Sequence, residues 1–300
     1  MARRFFLLLI LIQFGWTGSL WMHSGWMGSA YMASEGAHSG WMGSAHASTS
    51  SRAYTIPDIS VHARIDSLGR IHIAESRTYR FEGSYSWADY RLPRRGFDRA
   101  TAVRVSEGDH GYVNNESETP GTFSVSQSDR EMIVRWNYAA TDTQRTFTVH
   151  YELEGALADG PEFTEFYWNW LDAGREKPTD RFTLRLELPG QHSDSVHVWV
   201  RLPEERYSLH IDNATLSLEA QTLSTRTSVL TRLLFPTQWL VPQARPGAAP
   251  DLSLQMVEQQ ERQRIKEQRE REERQQWYRE RAGMFNGVLI ALSLGIYVLM

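Results

Sequence analysis

The 300-residue chain predicts a mainly β protein, an antiparallel β-sandwich followed by a long charged helix and a C-terminal transmembrane helix. Three observations carry that expectation. Between 54 and 236 short runs alternate apolar and polar residues, with turn residues at short intervals and no long amphipathic pattern before position 250. From 252 to 282 the chain is dense in Glu, Gln and Arg. From 284 to 300 it reads MFNGVLIALSLGIYVLM, without a charge. Hydrophobic residues at 41% and aromatics at 12% supply a core, which excludes global disorder. A formal charge of −4 gives no electrostatic reason to expect a nucleic-acid partner. With no cysteine, disulfides, cysteine-ligated zinc and thiol nucleophiles are excluded.

Residues 1–47 read as a signal peptide. Met-Ala-Arg-Arg precedes FFLLLILIQF (5–14), a basic start and an apolar run too short to span a bilayer. HSGWMGSA occupies 23–30 and recurs at 38–45, so GWMGS is an internal repeat, with a partial copy, GWTGS, at 15–19. Joining Trp16 to Met42 restores a signal of ordinary length ending in Ala45-His46-Ala47. The repeat therefore reads as a duplication inside a segment that is removed, with cleavage after Ala47 and a mature tail at 48–53.

The exported β-sandwich is assigned to 54–240. Ile59, Val61, Ala63 and Ile65 point one way and Ser60, His62 and Arg64 the other. Asp66-Ser67-Leu68-Gly69 turns the chain and 71–81 returns. Runs at 101–106, 122–127, 131–136, 145–153, 181–189, 195–200, 214–220 and 229–236 bring the expected strands to about ten. VPQARPGAAPD (241–251) reads as a linker. In the stalk, 252–282, Glu258/Arg262, Glu267/Arg271 and Glu270/Arg274 are i,i+4 pairs. Between 258 and 276 only Ile265 is strongly apolar, so there is no heptad seam and the helix is expected to be solvated, about 45 Å long. The span is assigned to 283–300, with Trp277 and Tyr278 at the interfacial belt. Eight Lys or Arg between 262 and 281 argue for a cytoplasmic stalk, whereas a cleaved signal commits the domain to export. Export is the expected outcome: a single-pass protein of the cell membrane, its main domain periplasmic or extracellular.

The opening strands carry Glu75, Tyr79, Phe81, Gly83, Tyr85, Arg91 and Pro93 in order. IVRWNY (133–138), RTFTVHYELEG (145–155), EFYWNW (165–170), LELP (186–189) and LLFP (233–236) follow. In the order and spacing of these motifs, residues 54–240, with the leading signal and trailing span, resemble the domain-of-unknown-function 2207 family of predicted membrane proteins. The resemblance implies an exported, β-rich domain tethered to the membrane, with no established biochemical role. Family members usually continue beyond the first span, so an end at Met300 is expected to mark either a shortened relative or part of a longer protein.

No residue pattern identifies a reaction, and no catalytic residue, metal site or cofactor is assigned. Glycoside cleavage needs two carboxylates about a bond. Glu162 and Glu165 flank an aromatic cluster, and Glu75 lies within a strand; a structural role for Glu75 would be pairing with Arg64 or Arg91. His62 and His72, on the arms of the first hairpin, lack a third ligand. Trp168 and Trp170 share one strand face, with Tyr167 and Asn169 opposite, and can serve as a ligand platform or as core. The candidate binding residues are Trp168, Trp170, Glu75, Glu162 and Glu165. The expected role is a non-catalytic interaction or sensing module of the cell envelope with a protein or glycan partner. The alternative is a carbohydrate-binding or carbohydrate-cleaving module, which requires a tryptophan in a groove beside one of those glutamates.

Overall fold

The computed structural model describes residues 52–190, 193–242 and 251–299, with side chains in the terminal helix described as far as Arg281. The expected signal and repeat (1–47), most of the tail and 243–250 of the linker lie outside the described residues, as do the side chains of the expected span.

The chain begins with β1 (Ala53–Ile65), β2 (Ile71–Glu82) and β3 (Ser84–Pro93). The first turn forms where expected: Asp66 Oδ1 accepts from the Leu68 and Arg70 amides at 2.9 and 3.0 Å, and Gly69 supplies φ +72°. Next come β4 (Arg99–Glu107), the short β5 (His110–Gly111) and β6 (Val113–Asn114), then β7 (Thr122–Gln127), β8 (Glu131–Thr141) and β9 (Gln144–Glu154). After β10 (Leu157–Asp159) lie β11 (Phe163–Leu171), β12 (Thr179–Glu187) and β13 (His197–Val200). The strands end with β14 (Tyr207–Asp212), β15 (Thr215–Leu223) and β16 (Val229–Pro236), and helix α1 (Leu254–Leu299) closes the chain.

The eight-stranded sheet has the order β14-β15-β12-β1-β2-β9-β4-β5. One of its faces meets two four-stranded sheets, β10-β11-β16-β13 and β3-β8-β7-β6, through a single continuous apolar core. The expected purely antiparallel pairing is corrected in two places, since β1 runs parallel to β12 and β6 parallel to β7. Alternation has period two in both kinds of ladder and cannot distinguish them. A parallel pair cannot close through a tight hairpin: ten strands intervene between β1 and β12, and residues 115–121 loop back between β6 and β7.

Chain corners place the small sheets over the large one. Gly83, at φ +87°, passes the chain from β2 to β3; its amide donates to Asp142 Oδ1 at 2.6 Å, and Asp142 occupies the β8–β9 corner. Thus β2 with β9 and β3 with β8 fold over at one level. The aromatic stack there includes Phe81 with Tyr138 at 5.6 Å and Tyr138 with Phe147 at 4.6 Å. β3 escapes a period-two reading because its pairing with β8 shifts register between Tyr85 and Trp87, which leaves Ala88, Asp89 and Tyr90 all buried.

Candidate functional site

Period two puts Ile71, Ile73, Glu75, Arg77, Tyr79 and Phe81 of β2 on its inner face, and two of these are charged. Charges between sheets require partners. Glu75 Oε1 accepts from Arg77 at 2.6 and 2.7 Å, two residues along the same face. Its other oxygen accepts from the Tyr90 hydroxyl of β3 at 3.1 Å. Since that proton is committed to Glu75, the 2.8 Å contact between Tyr90 and Tyr151 of β9 is a bond donated by Tyr151. The Arg77 guanidinium lies 5.0 Å above the Tyr90 ring. Burial, and then the Glu75 charge, raise both phenols well above the usual tyrosine range, so they remain donors. Burial opposes the charge on Arg77, but Glu75 outweighs it and holds the guanidinium above the usual arginine range.

This network forms the floor of a cavity of about 440 Å³. Opposite stand Trp168 and Trp170 of β11, 6% and 5% exposed, their ring centroids 6.5 Å apart, with Trp170 Nε1 donating to Thr231 Oγ1 at 2.8 Å. β10 pairs with β11 only as far as Phe166, so Tyr167–Leu171 form an edge of the sheet, and the cavity runs along it. The β11–β12 loop contributes Asp172 and Arg175. Partial burial raises the carboxyl of Asp172, a residue that remains exposed, and it accepts from the Asn169 amide. Burial and then the charge of Arg77 lower Arg175 to about 10. Its volume and aromatic lining match those of a small-molecule site.

The structure thus brings Glu75, Trp168 and Trp170 to one cavity and leaves Glu162 and Glu165 elsewhere. Glu165 faces the opposite side of β11 and is bound by Arg232, while Glu162 is exposed just before that strand. Pairing of Glu75 with Arg64 or Arg91 is corrected: Arg64 lies on the outer face, and Arg91 binds Asp89 at 3.5 Å and Glu131 at 3.2 Å. Asn169 lines the cavity together with the two tryptophans, because β11 shifts register between Asn169 and Leu171. His62 and His72 are not direct cross-strand neighbours, since His72 lies opposite Arg64. His62 contacts Glu187 at 3.1 Å, and His72 contacts Asp66 and Glu152 at 3.1 and 3.2 Å. Arg77, Tyr90, Tyr151, Asp172 and Arg175 escaped the sequence reading. Only the charged pair two residues apart on an otherwise apolar strand face was there to be noticed.

The stalk is not solvated from its start. Leu252 and Val257 pack with Leu234 on the outer face of β16, and Glu261 is 2% exposed. Glu261 accepts from Arg264 at 2.7 Å, Arg232 at 3.2 Å and Arg201 at 3.4 Å. Further along, Arg262–Glu258 and Arg271–Glu267 form as expected, whereas Glu270/Arg274 is not among the ion pairs of the described residues. α1 continues unbroken from the stalk through position 299, so no backbone break separates stalk from expected span. Among the described side chains no helix is long and apolar enough to cross a membrane.

The family model for the predicted membrane protein (DUF2207) N-terminal domain matches residues 55–235, more than half of the chain. The chain belongs to this family. No curated protein matches it. Among solved structures it is similar to a "putative nutrient binding protein" of Legionella pneumophila, at 7% identity and a TM-score of 0.41, over 60% of this chain and 66% of that one. It is also similar to an M1 zinc metallopeptidase of Deinococcus radiodurans, at 11% identity and a TM-score of 0.34, over 60% of this chain and 42% of that one. The chain spans less than two thirds of either protein, and at these scores neither likeness bears on what the DUF2207 domain binds.

Proposed function

We propose that this DUF2207 chain is a membrane-tethered, exported binding module of the cell envelope that senses a small molecule in the inter-sheet cavity and performs no catalysis. The observation that carries the reading is the cavity itself, with Trp168 and Trp170 facing the Glu75–Arg77–Tyr90–Tyr151 floor. An aromatic wall opposite fixed polar groups combines affinity with orientation. The single-pass anchor is supported by membership in a family of predicted membrane proteins and by a helix that runs on into the uncharged 284–300 stretch as far as Leu299. Carbohydrate cleavage is less well supported, because Glu162 and Glu165 are remote from the cavity and Glu75 is already engaged by Arg77 and Tyr90.

Mass spectrometry of small molecules released by denaturing the gently purified full chain tests the binding reading. Wild type is expected to release a compound that Leu230→Trp, which fills a half-buried lining position, does not. Equal release by both, or none from wild type, contradicts it. Protease added to intact spheroplasts tests the orientation: the domain is expected to be cleaved, and protection would place it on the cytoplasmic side.

A further inference from the structure

We propose that the cavity binds a small organic acid, its carboxylate held at Arg175 and a flat apolar body lying against Trp168 and Trp170. This deepens the binding-module reading and rests on it. Four arginines line the cavity, Arg77, Arg91, Arg95 and Arg175, against the two carboxylates Glu75 and Asp172. Glu75 is taken by Arg77, and Arg91 is taken by Asp89 and Glu131. Arg175 differs, because its bonds all go to backbone carbonyls: Asp172 at 3.2 Å, Thr227 at 2.5 Å, Leu223 at 2.8 Å and Ser224 at 2.6 Å. Carbonyls satisfy N–H donors without cancelling a full charge. The Arg175 Nε is buried and has no partner among the described residues.

A guanidinium with an unmet donor and no ion pair among the described residues favours an anion, which would reach the buried Nε by a shift of the Arg175 side chain. The titration of Arg175 agrees, since burial and then the Arg77 charge lower it only to about 10 and the group stays charged at neutral pH. Asn169 supplies a second unmet group. Its amide nitrogen is committed to Asp172, and its Oδ1 is buried without a donor. An N–H or O–H on the body of the acid would satisfy it. A cationic ligand would meet the charge of Arg175 with Glu75 already paired. The cavity, at about 440 Å³, suits a body of one or two rings.

Three probes share one body and differ in charge: indole-3-acetate, indole-3-acetamide and tryptamine. Calorimetric titration of the full chain in lipid nanodiscs is expected to give binding of the acid, about tenfold weaker binding of the amide, and no binding of the amine. Arg175→Gln should bring acid and amide to within about twofold, and Arg175→Lys should restore most of the preference. Arg175 also staples a loop, so each variant is first compared with wild type by near-ultraviolet circular dichroism. Should Gln unfold the domain, the acid-to-amide ratio of the wild type decides. Equal affinity for acid and amide overturns the anion assignment and leaves the cavity as a binding site. Binding of none of the three overturns the ligand class, while release of a compound from the gently purified chain independently decides whether the cavity binds anything.

Discussion

Glu75 and Arg77 stand on a strand face that is otherwise Ile71, Ile73, Tyr79 and Phe81, and their cost is met by pairing with each other and with Tyr90. Removing one partner strands the other charge. Glu75→Gln is expected to destabilise the domain by about 3 kcal/mol in urea unfolding. Glu75→Leu combined with Arg77→Met should recover most of that loss, because two apolar groups leave nothing unpaired. A single substitution as mild as the double would mean that water compensates the pair. Phe147, fully buried against Tyr138, Trp136 and Tyr79, represents the other kind of residue. Phe147→Ala should cost about 3–5 kcal/mol in the same measurement, with no dependence on pH.

β11 and α1 meet on the outer face of the β10-β11-β16-β13 sheet. β11 turns Trp168 toward the cavity and Glu165 toward Arg232, which also binds Glu261 of α1. Tyr167 joins the two sides: it lines the cavity and lies 5.0 Å beneath Arg201, itself bonded to Glu261. The Glu261 carboxyl is held below its ordinary 4.5: burial would raise it, but the bonds from Arg264 and Arg232 prevail. Unfolding separates Glu261 from all three arginines, so the unfolded chain binds more protons below pH 4.5, and the stability this carboxylate contributes is present above pH 4.5 and lost as pH falls from there through the depressed value. Urea unfolding of the wild type should show that loss on acidification, whereas Glu261→Gln should lack the contribution already at pH 7. An equal acid-induced loss in wild type and variant would exclude the carboxylate as its source. Gly160 permits the same docking by close approach, since a Cβ there would come within 2.6 Å of the Leu252 carbonyl oxygen. Gly160→Ala should push the segment before α1 away and expose Leu234.

At the scale of the molecule, the eight-stranded sheet is a platform, and the cavity lies between it and the two small sheets. Helix α1, at 46 residues, extends for about 70 Å. If the 284–300 stretch is the tether, the chain should remain in the membrane pellet after an alkaline carbonate wash, and a chain ending at Arg281 should be released with its domain folded. Release of the full chain under that wash would remove the anchor from the proposed architecture.

Local pattern determined much of this. The alternation of β1, β9 and β15, the positions of β7 and β16, the Asp66–Gly69 turn and the charged helix were legible, because strand period, turn chemistry and i,i+4 charge pairs depend on neighbours a few residues apart. So was the chemistry of Trp168, Trp170 and Glu75 as types, together with the family resemblance carried by motif order. Tertiary structure alone decided that those three residues share one cavity and that Glu162 and Glu165 do not. It alone decided the parallel pairing of β1 with β12 and the docking of Glu261 on Arg232. Arg175 acquires its character only where a loop meets carbonyls some fifty residues away. Period two records which face a side chain takes but not which sheet that face will meet, and the charge environment of a cavity is a sum over strands that no local window contains.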